Sequence, residues 1–377
     1  MPAPPRRTPN TLLLAAKTVL SGFGLWPTAK PWLPLRLPSH RRNRKRKNEL
    51  NKFSPPSGGF FCANMSAKYG SDCIVGVDIG GTKILVGVVD GRHKVLGRKR
   101  KKTPNTGEPL DLVKLVAESI REIIADFPRV KAVGVGVPGF VKRGRVFQAY
   151  NIGCEDFAFT TALRRRVQLP VFVENDCNLF TLGIHRAEFS SRPQTMVGMF
   201  LGTGVGGGLI INGEIIQGAN GTAGELGQLI VDRSGPRAPN SFRGSLESSA
   251  SHVGLVHQIR CGIRAGNKTK LQTELGANLK GITANHLRSA VRAGDRLTTR
   301  VVHRAGEAVG LGVAGLISTL APERIVLGGG VMDALGGKLM PIIRKTARAN
   351  VLEGAMDGVL ISRTKLRGDG AIIGAAA

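Results

Sequence analysis

None of the five cysteines stands in a C-x-x-C pair; Cys62, Cys73, Cys154, Cys177 and Cys261 are scattered and odd in number. That spacing excludes a disulfide scaffold and a classical structural zinc site, and it fits the reducing cytoplasm. Long apolar runs are also missing. No stretch approaches the ~20 residues that a bilayer-spanning helix needs, so the chain does not read as an integral membrane protein. Aromatics make up only 5% of the residues, and both tryptophans, Trp26 and Trp32, fall in the first 64 positions. Acids are outnumbered, 26 against 54 Lys and Arg, for a net charge of +28. The excess is uneven. Residues 1–64 hold twelve Lys and Arg against one acid (Glu49), a balance of +11, and the rest hold 42 against 25, a balance of +17. The two parts differ in kind.

What is present is ordinary for a globular protein: 377 residues, 42% hydrophobic and 21% charged, enough for about two domains with sizeable cores. The 51 glycines cluster in short motifs between apolar runs. Residues 1–64 are rich in Pro and Arg, include the run Arg41-Arg42-Asn43-Arg44-Lys45-Arg46-Lys47 and show no sustained helical or strand period. Lys17 interrupts the apolar stretch that a targeting peptide would use, and no A-x-A site follows. Pro27, Pro31, Pro34 and Pro38 leave no room for a helix-turn-helix, although the basic run alone would suit a nucleic-acid arm. The plainest reading is a disordered extension from a start assigned too early, with Met65 as the first residue of the working protein.

From Cys73 the pattern is regular. Strands are expected at Cys73–Asp78, Ile84–Asp90 and Lys94–Lys101, a helix at Leu110–Phe127, a strand at Ala132–Val137, a helix at Thr160–Val167, a strand at Val171–Val173 and a helix at Asn178–Glu188. Met196–Leu201, Gly208–Asn212 and Glu214–Gln217 repeat the opening strand–turn–strand layout. A mostly helical stretch, Leu246–Leu320, then precedes a strand at Arg324–Leu327, a helix at Met332–Val351 and a strand at Val359–Ser362. Two β-rich starts, each followed by helices, predict duplicated α/β domains, 65–193 and 194–377, with a cleft between them.

Two glycine loops stand at equivalent places in the two halves. Asp78-Ile79-Gly80-Gly81-Thr82-Lys83 lies between two strands, and its paired glycines allow positive φ and let N–H groups converge on an anion. Thr82 and Lys83 add a hydroxyl and a charge, and Asp78 could hold magnesium through water. About 120 residues later, Gly202-Thr203-Gly204-Val205-Gly206-Gly207-Gly208 nearly dispenses with side chains, as a loop does where something approaches the backbone. A third cluster, Gly328-Gly329-Gly330, follows a strand and opens a helix; it suits a base or ribose, or else simple helix–strand packing. Together they predict a nucleotide phosphate site.

Val171–Val173 runs into Glu174-Asn175-Asp176-Cys177-Asn178, which puts Asp176 near a helix N-terminus at the mouth of the cleft. An acid there can simply cap the helix. Between two phosphate loops it can also orient a sugar hydroxyl and take its proton, with the helix end keeping it ionised. Glu225 in Gly224-Glu225-Leu226-Gly227 and Glu247 in Gly244-Ser245-Leu246-Glu247 could accept hydrogen bonds from vicinal hydroxyls.

These motifs, with Gly136-Val137-Pro138-Gly139 and Gly218-Ala219-Asn220-Gly221, resemble in order and spacing the ROK family of sugar kinases and repressors, over essentially all of Cys73–Ala377. The resemblance implies the actin-like ATPase (ribonuclease H-like) α/β fold and ATP- and Mg²⁺-dependent phosphorylation of a hexose, with Asp176 as catalytic base. It further implies that Asn151, Asn175, Asp176, Glu225 and Glu247 hold the sugar. Asp78, Gly80, Gly81, Thr82, Lys83, Gly202, Thr203, Gly204, Gly206 and Gly329 would face ATP. A cytoplasmic homodimer that binds neither nucleic acid nor membrane is expected. Glucokinase leads; an N-acetylhexosamine kinase, a fructokinase and a sugar-responsive repressor are the alternatives, and polyphosphate is a second donor to consider. The family's zinc ligands, one histidine and three cysteines, align here with Gln228, Ala238, Asn240 and Ser245, so no zinc is expected and loop 232–246 must be held by packing or by substrate.

Overall fold

A computed structural model describes residues 72–377, except 128, 190, 277, 278 and 367. Cys62 and the expectations for residues 1–64 therefore lie outside the described residues. Two five-stranded sheets dominate. The first is built from β1 (Cys73–Ile79), β2 (Lys83–Val89), β3 (Val95–Lys102), β4 (Val130–Val137) and β8 (Val171–Asn175), in the order β3-β2-β1-β4-β8. The second contains β9 (Met196–Leu201), β10 (Val205–Ile211), β11 (Glu214–Ile215), β12 (Arg324–Gly328) and β13 (Leu360–Arg363), in the order β11-β10-β9-β12-β13. Each sheet opens with an antiparallel meander and then adds two parallel strands beside its first strand. The duplication expected from the sequence is thus present strand for strand, in the actin-like arrangement.

The central strands are apolar on both faces, as strands covered on both sides must be; every residue of β9 is buried. Helices α1 (Pro109–Ile124) and α2 (Phe159–Val167) cover one face of the first sheet. The second sheet shares one core with α4 (Leu246–Ala250), α5 (His252–Arg264), α6 (Leu271–Leu275), α7 (Ala284–Arg292), the 25-residue α8 (Arg296–Leu320) and α9 (Gly330–Ala349). Each sheet has its own core. A small third cluster packs α3 (Asp176–Ala187) on the second sheet, setting Phe180 against Phe200 of β9 with ring centroids 4.7 Å apart. Among the described residues no helix is long and apolar enough to cross a membrane.

Two elements were not expected. Residues 140–157 form a three-stranded antiparallel sheet, β5 (Phe140–Lys142), β6 (Arg145–Ala149) and β7 (Cys154–Phe157), whose first hairpin turns at Arg143 and Gly144, both at positive φ. The last helix, α10 (Gly370–Ala376), belongs in sequence to the second half yet packs on β1, β4 and α3 of the first. It fits because its neighbours lack side chains: a Cβ on Gly134 would sit 1.7 Å from the Ala375 carbonyl oxygen, and one on Gly374 would sit 1.7 Å from that of Leu179.

Candidate active site

The two glycine turns project from equivalent hairpins, β1–β2 and β9–β10. In the first, the Gly80 N–H donates to the Lys83 carbonyl at 2.9 Å, and the Thr103 hydroxyl donates to the Gly80 carbonyl at 2.6 Å. Gly81, Thr82 and Lys83 are exposed. Neither glycine adopts positive φ, which corrects the expectation; the reason for a missing side chain at Gly81 is Asn151, whose Nδ2 would lie 3.1 Å from a Cβ there. Asn151 sits in the short 3₁₀ turn Tyr150–Ile152 between β6 and β7 of the unexpected sheet, so that sheet carries the residue expected to hold sugar to the first glycine turn.

The second turn is corrected in the same sense. Cβ atoms on Gly204, Gly206, Gly207 and Gly208 would collide with Glu247, Cys177, Leu226 and Thr181 respectively, so packing within the protein accounts for those four glycines. Gly202 alone of the five faces open space. The exposed Thr203 beside it and Gly202 accept, through their carbonyls, the N–H groups of Val253 and His252 at the start of α5. Gly329, at φ +88°, packs on the Leu201 carbonyl at the end of β9, where a Cβ would lie 2.5 Å from the oxygen. Helix–strand packing, one of the two readings left open, explains that glycine.

Asp176 is the first residue of α3, and it does not cap the helix. Asn175 does, its Oδ1 accepting from the N–H groups of Cys177 (2.9 Å) and Asn178 (3.0 Å) while its Nδ2 donates to the Gly139 carbonyl at 2.8 Å. Asn175, expected to grip sugar, is thus engaged inside the protein. The carboxylate of Asp176 keeps one oxygen on the Cys177 N–H at 2.8 Å.

Gly136 explains how a second acid reaches it. Gly136 pairs with Asp78 across β1–β4, and a Cβ on it would stand 3.4 Å from the Asp176 Cα. With no side chain between them, the two carboxyls interact. Burial and then the Asp78 charge push Asp176 up to about 7, outweighing the Cys177 hydrogen bond. The helix end therefore does not hold Asp176 fully ionised, contrary to expectation. Burial likewise lifts Asp78 to about 6, against the pull of Lys83.

From the other half, Glu225 also raises Asp176. Glu225 is open to solvent as a residue, yet desolvation by the surrounding walls raises its own carboxyl, with the Glu247 charge adding to the effect. Glu247 accepts from the Val205 N–H at 3.0 Å and from the Ser241 hydroxyl at 2.7 Å, so it braces the second glycine turn. Four acids from four separate segments thus share one electrostatic environment. Among the described residues no three His, Cys, Asp or Glu side chains are placed to hold a metal ion. A magnesium ion would fit only as a guest of phosphate oxygens plus a carboxylate such as Asp78, the way this ion is ordinarily held.

Loop 232–246 is fixed by hydrogen bonds. The Ala238 N–H donates to Ser248 Oγ at 3.0 Å, Ser248 Oγ donates to the Phe242 carbonyl at 2.8 Å, and Ser245 caps α4 by accepting from the Ser248 N–H at 3.1 Å. Three of the four positions expected to align with the family's zinc ligands, Ala238, Asn240 and Ser245, lie on this loop, and Gln228 ends the 3₁₀ turn Leu226–Gln228.

The profile of the ROK family matches residues 74–377. A glucokinase of Halalkalibacterium halodurans is 31% identical over 307 residues, covering 80% of this chain and 92% of its own. An N-acetyl-D-glucosamine kinase of Pectobacterium atrosepticum is 29% identical over 302 residues, covering 75% and 95%. Among solved structures, a ROK family glucokinase from Streptomyces griseus in complex with glucose and AMPPNP superposes with a TM-score of 0.67 at 31% identity, over 81% of this chain and 98% of that one.

Proposed function

Because this chain belongs to the ROK family, we propose that it is a sugar kinase that transfers the γ-phosphoryl group of ATP to a hexose, with D-glucose as the preferred acceptor and Asp176 as general base. The observation that carries the reading is the position of Asp176 at the start of α3, freed from capping by Asn175 and raised to about 7 by burial and Asp78. A general base works best with a pKa near the working pH, and a sugar hydroxyl needs such a group to orient it and take its proton. The exposed hairpin residues Gly81, Thr82 and Lys83, and the open Gly202 with Thr203, supply donors and charge for phosphate oxygens. Mg²⁺, held by those oxygens with Asp78, would neutralise charge on the transferring group.

Glucose is favoured by the kinship with two glucokinases at 31% identity. A second reading, an N-acetylhexosamine as acceptor, draws on the relative of that activity. The test is a coupled ADP-release assay across glucose, mannose, fructose, N-acetylglucosamine and N-acetylmannosamine, with ATP and then polyphosphate as donor. Glucose with ATP should give the highest kcat/KM. A higher value for an N-acetylated sugar would move the assignment to the second reading, and no ADP release with any acceptor would remove both.

A further inference from the structure

Glu174 is not among the residues expected to touch a ligand, yet its two carboxylate oxygens face in different directions. Oε1 accepts from the Asn175 N–H at 2.7 Å and from Asn178 Nδ2 at 3.1 Å, both within the segment that presents Asp176. Oε2 accepts from Nε2 of Gln217, a residue that follows β11 of the second sheet. The Gln217 carbonyl in turn accepts from the Ala223 N–H at 3.1 Å and so closes the loop 217–223, immediately before Glu225. The same loop meets the first half twice more. A Cβ on Gly221 would be 2.4 Å from the Val141 carbonyl of β5, and one on Gly224 would be 3.5 Å from Asn178 Oδ1, a buried atom with no hydrogen-bond partner.

The loop carrying Glu225 is therefore a bridge across the cleft. Two of the contacts just named are close approaches of glycine backbone, which resist compression without pulling the halves together. The hydrogen bond from Gln217 to Glu174 is the attractive one, and a charged acceptor strengthens it. We propose that Gln217 is a positioning residue for the sugar: through Glu174 it holds the Glu225 loop in register with Asp176, and so raises the fraction of protein in the sugar-competent arrangement. The proposal rests on the sugar-kinase reading for its kinetic consequence only. A residue that raises the competent fraction lowers the apparent KM for the ligand that needs it. At saturating sugar the ligand itself supplies the closure, and kcat is preserved.

The experiment compares four full-length variants. Gln217→Leu removes the donor, Gln217→Glu opposes two carboxylates, Gln217→Arg offers a cationic donor, and Glu174→Gln combined with Gln217→Glu reverses the bond while leaving Oε1 as acceptor for Asn175 and Asn178. The sugar KM should rise about three- to tenfold in Gln217→Leu and further in Gln217→Glu. It should return to within about twofold of wild type in Gln217→Arg and in the exchanged pair. Across the series kcat and the ATP KM should stay within about twofold. Hydrogen exchange of the amides of residues 217–228, without substrate, should rank the proteins in the same order. A fall in kcat at unchanged sugar KM, or no recovery in the exchanged pair, would overturn the proposal. Should wild type phosphorylate no hexose, the kinase reading falls, and the exchange ranking still decides the role of Gln217: equal exchange in all five proteins would refute it.

Discussion

Asp176→Asn should reduce activity and increase stability together, and the two effects share one physical origin. The asparagine keeps an acceptor for the Cys177 N–H that now reaches Asp176 at 2.8 Å, and Asn175 still caps the helix, so the fold has no reason to change. What goes is the ionisable group. For the reaction, loss of the base should lower kcat by about 10²–10⁴-fold, with the sugar KM little altered. For folding, the sign follows from a pKa raised from 3.8 to about 7. Protonated Asp176 contributes stability that is fully present below pH 4 and is lost progressively as pH rises to about 7 and beyond. A shift of about three units corresponds to about 4 kcal/mol, with ~1.4 kcal/mol per unit. At pH 8 the asparagine variant should therefore be more stable than wild type by up to about 4 kcal/mol, and at pH 4 the two should coincide. Paired urea titrations at pH 4, 6 and 8, with kcat measured at pH 8, test this. In wild type, kcat/KM should fall with decreasing pH below about 7. A gain equal at pH 4 and pH 8 would refute the account based on burial and the Asp78 charge; turnover within a few-fold of wild type would remove Asp176 as base.

Three further outcomes are expected. A chain starting at Met65 should match the full chain in activity and in Tm, because residues 1–64 lack an apolar period that could dock on a core; a loss of several degrees would show that they pack. EDTA treatment followed by excess Mg²⁺ should restore full activity at unchanged Tm, with elemental analysis finding no zinc; about one zinc per chain would mean that loop 232–246 recruits ligands other than its hydrogen bonds. Gly374→Val should destabilise by more than about 3 kcal/mol, since even a Cβ would stand 1.7 Å from the Leu179 carbonyl oxygen, and a melting curve matching wild type would contradict that packing.

The strands of both large sheets were legible because buried parallel strands are short apolar runs bounded by turns, and Met196–Leu201 is found as expected to the residue. Sheet β5-β6-β7 was not. Its strands are three to five residues long, and polar Lys142, Arg145 and Gln148 interrupt the apolar signal. The helix GAIIGAA was missed for the opposite reason: with no polar face it has no helical period to detect. At the site, the acids were visible as residue types beside glycines, but their mutual effect was not. It depends on Gly136 standing between Asp78 and Asp176, a pairing across three strands that no local pattern records. The glycines of the second turn show the converse. Scarcity of side chains suggested an approaching ligand, whereas Gly206 and Gly208 are bare to admit Cys177 and Thr181.

The return of α10 to the first sheet has a consequence for how the protein is made. Residues of β1 leave the ribosome early, but the surface around Gly134 and Gly183 stays uncovered until residue 376 has been synthesised. At about 5–20 residues per second, the roughly 190 residues from Gly183 to that point take about 10–40 s to translate. Over that interval the first half exposes an apolar surface shaped for a short helix that buries Ile372 and Ile373 and brings its glycine and alanine backbone close. The second half, whose own strands and helices end at Arg363, can assemble before then. Synthesis therefore runs from the N-terminus, while completion of the two halves runs the other way: the part translated first is the part finished last.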